Sequence, residues 1–166
     1  MALPADCSVL NTSKLHATAV VRLAYSPSGT KLAAASQDTT ISLLKTPIIQ
    51  NQLDVTSLQG HNGAITSISF SSNDQFLLSS SADKSCIVWN MKPGKKGEKL
   101  LTLDRVNRPR VSDMTPSTPS STAASATSSG SKQQNPEFAE QIRQAQFYND
   151  DKIIVVASGN KLYFYQ

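Results

Sequence analysis

The sequence predicts an all-β fold of short antiparallel strands, and three observations carry that prediction. Charged residues are only 17% and aromatics 6%, while Ser and Thr are abundant. That balance suits many short strands joined by polar turns better than long helices. Apolar residues recur with period two or run unbroken over five to seven positions, as half-buried and fully buried strands require, and helical spacing is not seen. Displacing the chain against itself by 45 residues aligns His16 with His61, Tyr25 with Phe70, Leu32 with Leu77, Ser36 with Ser81 and Asp38 with Asp83, without a gap.

A period near 45 is characteristic of propeller blades, in which each unit is a four-stranded antiparallel meander. In the first unit the strands are expected at Ala19–Tyr25, Lys31–Ser36, Thr39–Leu44 and Gln52–Leu58. In the second they fall at Ala64–Phe70, Gln75–Ser81, Lys84–Asn90 and Glu98–Leu103. Ser26-Pro27-Ser28-Gly29 and Ser71-Ser72-Asn73-Asp74 supply the tight reversals.

Gly60-His61, the apolar run Ala64–Phe70, Ser81-x-Asp83 and Trp89-Asn90 resemble the WD repeat, whose signature is a Gly-His pair, a Ser-x-Asp turn and a terminal Trp-Asp. The resemblance covers one nearly complete repeat, with Asn90 in place of the last Asp. It also covers a degenerate repeat in which Leu15 replaces the Gly and Leu44 the Trp. It implies a structural tetrad within the blade, from Asp83 to His61, from His61 to a strand hydroxyl, and from that hydroxyl to the Trp89 indole. Buried imidazole and indole nitrogens need such partners. Ser81 is the first choice for the hydroxyl and Ser79 the second, because both lie on one face of one strand. In the first unit the corresponding network links Asp38, His16 and Ser36, and Leu44 shortens it because it has no N–H.

A third unit follows an interruption. Phe147, Ile154 and Ser158 lie 77 residues beyond Phe70, Leu77 and Ser81, which is one period plus 32 residues. The surplus matches residues 105–136. Within them 11 of the 17 residues from Thr115 to Ser131 are Ser or Thr, so this insertion is expected to be disordered. Inner strands of a third blade are then expected at Ile142–Tyr148, Lys152–Ser158 and Lys161–Tyr165, with Phe138 in the His column and Asn160 near the Asp column. The organisation reads as a lead-in (1–13), a degenerate repeat (14–58), a good repeat (59–104), the insertion (105–136) and a partial repeat (137–166). Closed propellers use about 4 to 8 blades of ~45 residues. The chain therefore reads as a partial propeller, a piece of a larger ring whose open blade faces favour self-association.

The residue inventory argues against catalysis. Both histidines belong to the repeat, no Gly-rich phosphate loop opens a helix, and Asp150-Asp151 reads as a solvated turn. Cys7 and Cys86 stand far apart without metal-ligand spacing, so neither a disulfide, a metal nor a cofactor is expected. A reducing compartment follows, the cytoplasm first and the nucleus second. No signal peptide or membrane span is recognisable. The resemblance implies a non-catalytic protein–protein interaction scaffold, with candidate partner-binding loop residues Ala17, Gln37, Thr39, Asn62 and Lys84 flanking the repeated His and Asp positions. Thr115-Pro116 and Thr118-Pro119 are candidate phosphorylation sites. The alternative is binding of nucleic acid or an anionic surface through residues 92–110. Residues 91–110 hold seven Lys or Arg against two acids but no aromatic to stack on a base.

Overall fold

The computed structural model describes residues 13–47, 54–103 and 140–166. The insertion expected at 105–136, with Thr115 and Thr118, lies outside the described residues, as do residues 1–12 and the start of the strand expected at Gln52.

The first sheet holds β1 (Val20–Tyr25), β2 (Lys31–Ser36), β3 (Thr40–Lys45) and β4 (Val55–Gln59). The second holds β5 (Ile65–Phe70), β6 (Phe76–Ser81), β7 (Cys86–Asn90) and β8 (Glu98–Leu103). β9 (Ile142–Tyr148), β10 (Ile153–Ser158) and β11 (Lys161–Tyr165) form the third. Within each sheet the strands pair in chain order and antiparallel, giving two four-stranded meanders and one of three strands. β1 packs beside β5 and β5 beside β9, so the first strands of the three sheets are neighbours. The architecture is all-β, as the alternation predicts, and its packed antiparallel meanders are those of a partial propeller.

Two layers of apolar side chains hold the sheets together. Ala33, Ala35, Ile41 and Leu43 of the first sheet face Ile65, Leu77, Ile87 and Trp89 of the second. The two alanines leave room for the indole and for Leu77. Val88, Leu78 and Cys86, on the reverse face of the second sheet, meet Ile142, Ala145 and Val156. Burial pushes the Cys86 thiol up to about 12, with the Asp83 charge adding to the effect, so this sulfur packs as a small apolar group.

Every first strand carries a bulge at the same repeat position. Val21, Thr66 and Arg143 are each the extra residue opposite the second strand. The bulge turns Thr66 toward the next blade, where its hydroxyl donates to the Ile142 carbonyl at 2.7 Å and the Ala145 N–H reaches Ser67 Oγ at 2.9 Å. At the rim of the β1–β2 type turns the blades are latched. Asp74 accepts the Ser28 N–H at 3.1 Å, and Asp151 accepts the Ser72 N–H at 2.8 Å. Pro27 occupies the column of Ser72 and has no N–H, so the first latch moves one residue along to Ser28.

Strand starts differ from the sequence expectation at several places, mostly by one residue, and two equivalent differences have a backbone cause. Thr39 and Lys84 were expected to open strands, but their φ values of 73° and 68° make them left-handed turn residues, and pairing begins beyond them. The third sheet departs further. Ser158 pairs directly with Lys161, so its hairpin is one residue shorter than the Ser81-to-Ser85 turn, and Asn160 is not in the position that Asp83 occupies.

Candidate interaction surface

The loops before β1 and β5 and the turns β2–β3 and β6–β7 lie at one end of the sheets, and a buried polar network fixes them there. In the second blade Trp89 Nε1 donates to Ser79 Oγ at 2.8 Å, Ser79 Oγ lies 2.8 Å from His61 Nε2, and His61 Nδ1 lies 3.0 Å from Asp83 Oδ2. An indole can only donate and a carboxylate only accept. The chain therefore runs in one direction, with Ser79 donating to Nε2 and Nδ1–H donating to Asp83. Asp83 also accepts the Asn62 N–H (2.8 Å) and the Ser85 N–H and hydroxyl (2.9 and 2.6 Å). Burial alone would raise its carboxyl, but these hydrogen bonds and the His61 ring outweigh that and hold it well below the usual carboxylate range.

Ser79, not Ser81, is the hydroxyl of the tetrad. Ser81 shares its face, but its Oγ donates to the Gly63 carbonyl at 2.9 Å and accepts the Asp83 N–H at 3.1 Å. Ser36 and Ser158 do the same job in the other sheets, donating to the Ala19 carbonyl (3.0 Å) and the Glu140 carbonyl (2.9 Å). This serine column ties the loop leading into each first strand and lies one step away from the imidazole.

In the first blade the network expected among Asp38, His16 and Ser36 is corrected in the same way. His16 Nδ1 meets Asp38 Oδ2 at 3.2 Å and Thr40 Oγ1 at 3.1 Å, while Ser36 turns to Thr18 and Ala19. Asp38 keeps the same four donors: the His16 ring, the Ala17 N–H (2.8 Å), and the Thr40 N–H (3.0 Å) and hydroxyl (2.6 Å). Burial opposes ionisation there too, and the donors again hold the carboxyl low. The column of Ser79 holds Ala34, however, and that of Trp89 holds Leu44. His16 Nε2 is consequently buried without a hydrogen-bond partner. Leu15 explains how the blade tolerates the loss of its indole. A Cβ on Gly60 would lie 2.9 Å from the Trp89 ring and collide with Lys99, so only glycine fits there. With the shorter Leu44 the equivalent position admits Leu15, which packs on Leu32, Ala34 and Leu44.

Above these networks Ala17, Gln37, Asn62 and Lys84 are exposed and Thr39 is half-buried. The structure thus brings all five candidate loop residues to one end. Thr40 and Ser85, which close each turn against the aspartate, were missed from sequence. The signal was present, since they are hydroxyl residues 45 apart and each lies two positions after the repeated Asp.

Comparison with known proteins agrees with this geometry. Residues 7–43 and 53–90 match the family model "WD domain, G-beta repeat". A relative, "Guanine nucleotide-binding protein subunit beta" of Solanum tuberosum, is 31% identical over 97 residues, covering 52% of this chain and 26% of that protein. The chain thus spans about a quarter of that relative's length. The second match begins just before β4 of the first sheet and ends with β7 of the second. One sequence repeat therefore contributes strands to two blades.

Proposed function

We propose that this chain, which carries two repeats of the WD type, is a non-catalytic scaffold that presents Ala17, Gln37, Thr39, Asn62 and Lys84 to a protein partner. The observation that carries the reading is the burial and full partnering of the imidazole beneath Asn62 and Lys84 in the second blade. Ser79 and His61 are buried and the Trp89 indole caps Ser79 Oγ, so the Ser79–His61–Asp83 relay has no open face for a substrate. What such a network supplies is rigidity, holding loops at a fixed spacing with little ordering cost on binding. The relative named as a subunit of a larger assembly supports the same reading. The order of a degenerate repeat, a good repeat and the strand Gln144–Tyr148 resembles the later repeats of WD repeat-containing protein 27. The expected setting is the cytoplasm, with the nucleus second.

The test is proximity labelling with the triple variant Gln37→Ala, Asn62→Ala, Lys84→Ala against the unaltered protein. Loss of labelled partners with an unchanged melting curve supports the scaffold reading; full retention of every partner removes it.

Self-association is a second reading, favoured by one specific observation. Leu23 and Tyr25 on the outer face of the first sheet are each 64% exposed, and Leu162 and Phe164 on the outer face of the third are 62% and 67% exposed. Sedimentation velocity of Leu23→Glu and Phe164→Glu should show fewer oligomers than the unaltered chain. The nucleic-acid alternative at 92–110 gains less support. Arg105, Arg108 and Arg110 lie outside the described residues, and Phe76, the ring nearest Lys92, is covered by that ammonium at 5.6 Å.

A further inference from the structure

We propose that a lysine-lined pocket at the rim opposite the candidate loops binds a small anion carrying two or more phosphate groups. The pocket has a volume of about 270 Å³ and lies where the β1–β2 turn, the end of β3 and the β7–β8 loop meet. Lys31, Lys45, Lys92 and Lys96 line it, with Thr30 beside them and the buried Met91 as an apolar floor. Two of these lysines belong to the first repeat and two to the second, so the charge density arises from the packing of two blades. The basic run at 92–110 by itself does not reveal it.

Three features make the pocket a place for an anion. First, its lining contains no acid. The Asp74 carboxylate on the neighbouring turn accepts the Ser28 N–H, and Lys31 meets Asp74 through its backbone carbonyl. Second, part of the charge is held in position before any ligand arrives. Lys31 Nζ donates to the carbonyls of Asp74 and Met91 at 3.2 and 3.5 Å, and Lys92 Nζ sits over the Phe76 ring. Third, four lysines gathered around one concavity raise the local positive potential, and a multivalent anion is drawn to such a potential more strongly than a monovalent one. Lysine acts as a point charge with rotatable donors, which suits tetrahedral phosphate oxygens approached from several sides.

Size and lining select the ligand class. An open cavity of about 270 Å³ is large enough to seat a compact anion and too short to follow an extended strand. None of its lining residues is aromatic, so a nucleic-acid base has no stacking surface there. The site is independent of the scaffold loops, which lie at the other end of the strands.

The experiment is calorimetric titration of the full chain with sodium tripolyphosphate and, separately, inorganic phosphate. Tripolyphosphate should bind more tightly than phosphate, and affinity should fall steeply with added salt. The variant Lys45→Ala/Lys96→Ala should lose about tenfold or more in tripolyphosphate affinity, the loss of two charge-assisted contacts. Both side chains are exposed, so its melting curve should not move. The control Lys152→Ala/Lys161→Ala, on the third sheet, should keep its affinity. Equal loss in the control would show diffuse surface charge and overturn the proposal. So would undiminished binding in the pocket variant, or no binding at millimolar tripolyphosphate. A single-stranded oligonucleotide bound more tightly than tripolyphosphate would overturn it in favour of nucleic acid.

Discussion

The first and second blades share their turn ends and differ in their strand centres. In both, an aspartate collects a histidine Nδ1, the following backbone N–H and a hydroxyl residue two positions on, with distances that agree within about 0.2 Å. Beyond the imidazole they part. The second blade continues through Ser79 to Trp89, whereas the first stops at His16 Nε2 and fills the remaining space with Leu15, Leu44 and Ala34. The comparison separates two jobs. The aspartate end shapes the loops, and the indole end fills the inter-blade volume, so one can be replaced by aliphatic packing while the other is retained.

The largest way to break the comparison is Trp89→Ala. It removes the biggest fully buried side chain of the inter-blade core and leaves Ser79 without its donor. A loss of about 3–5 kcal/mol is expected by urea denaturation. Ser79→Ala preserves packing but strands the indole N–H and His61 Nε2 together, and should cost about 2–3 kcal/mol. Ser81→Ala should cost less, about 1–2 kcal/mol, because the two groups it strands, the Gly63 carbonyl and the Asp83 N–H, belong to half-exposed residues near water. If Ser81→Ala proves the costlier of the two serines, the assignment of the central hydroxyl is wrong.

The shared aspartate end makes a prediction about pH. Asp83 titrates lower in the folded protein than its ordinary 3.8, so between the two values the unfolded chain binds more protons. Its contribution is complete above 3.8 and is lost as pH falls below it. Denaturant midpoints should therefore drop on acidification, and Asp83→Asn should flatten that drop. The smallest expected effect sharpens the contrast from the other side. Ala34→Ser offers His16 Nε2 the hydroxyl that Ser79 gives His61, and should stabilise the protein by about 0.5–1.5 kcal/mol. An unchanged or lowered midpoint would mean that Leu15 and Leu44 leave no room for it.

Much of the architecture was legible because the 45-residue register and strand alternation are properties of the chain itself. Tyr25 and Phe70 end equivalent strands, and Leu32 and Leu77 sit at equivalent core positions. The central hydroxyl was not legible in the same way. Ser79 and Ser81 share one face of β6, and alternation cannot tell which lies level with the imidazole; that depends on how the preceding loop sets the ring's height. The turns at Thr39 and Lys84 were hidden because neither is the glycine that usually marks a positive φ. Leu15 read as a lost signature residue, and only the packing reveals that it compensates for Leu44. The shared bulge at Val21, Thr66 and Arg143 has no common side-chain chemistry, so nothing in those residue types announced it.

The turn latches have a kinetic consequence. Each carboxylate grips an amide of the preceding blade, so the Ser28 proton is shielded only while the first two blades stay together, and the Ser72 proton only while the second and third do. Those two amides are built-in reporters of separate joints. Their hydrogen-exchange rates would tell which seam of the array opens first, and how often, under conditions where the protein is still folded.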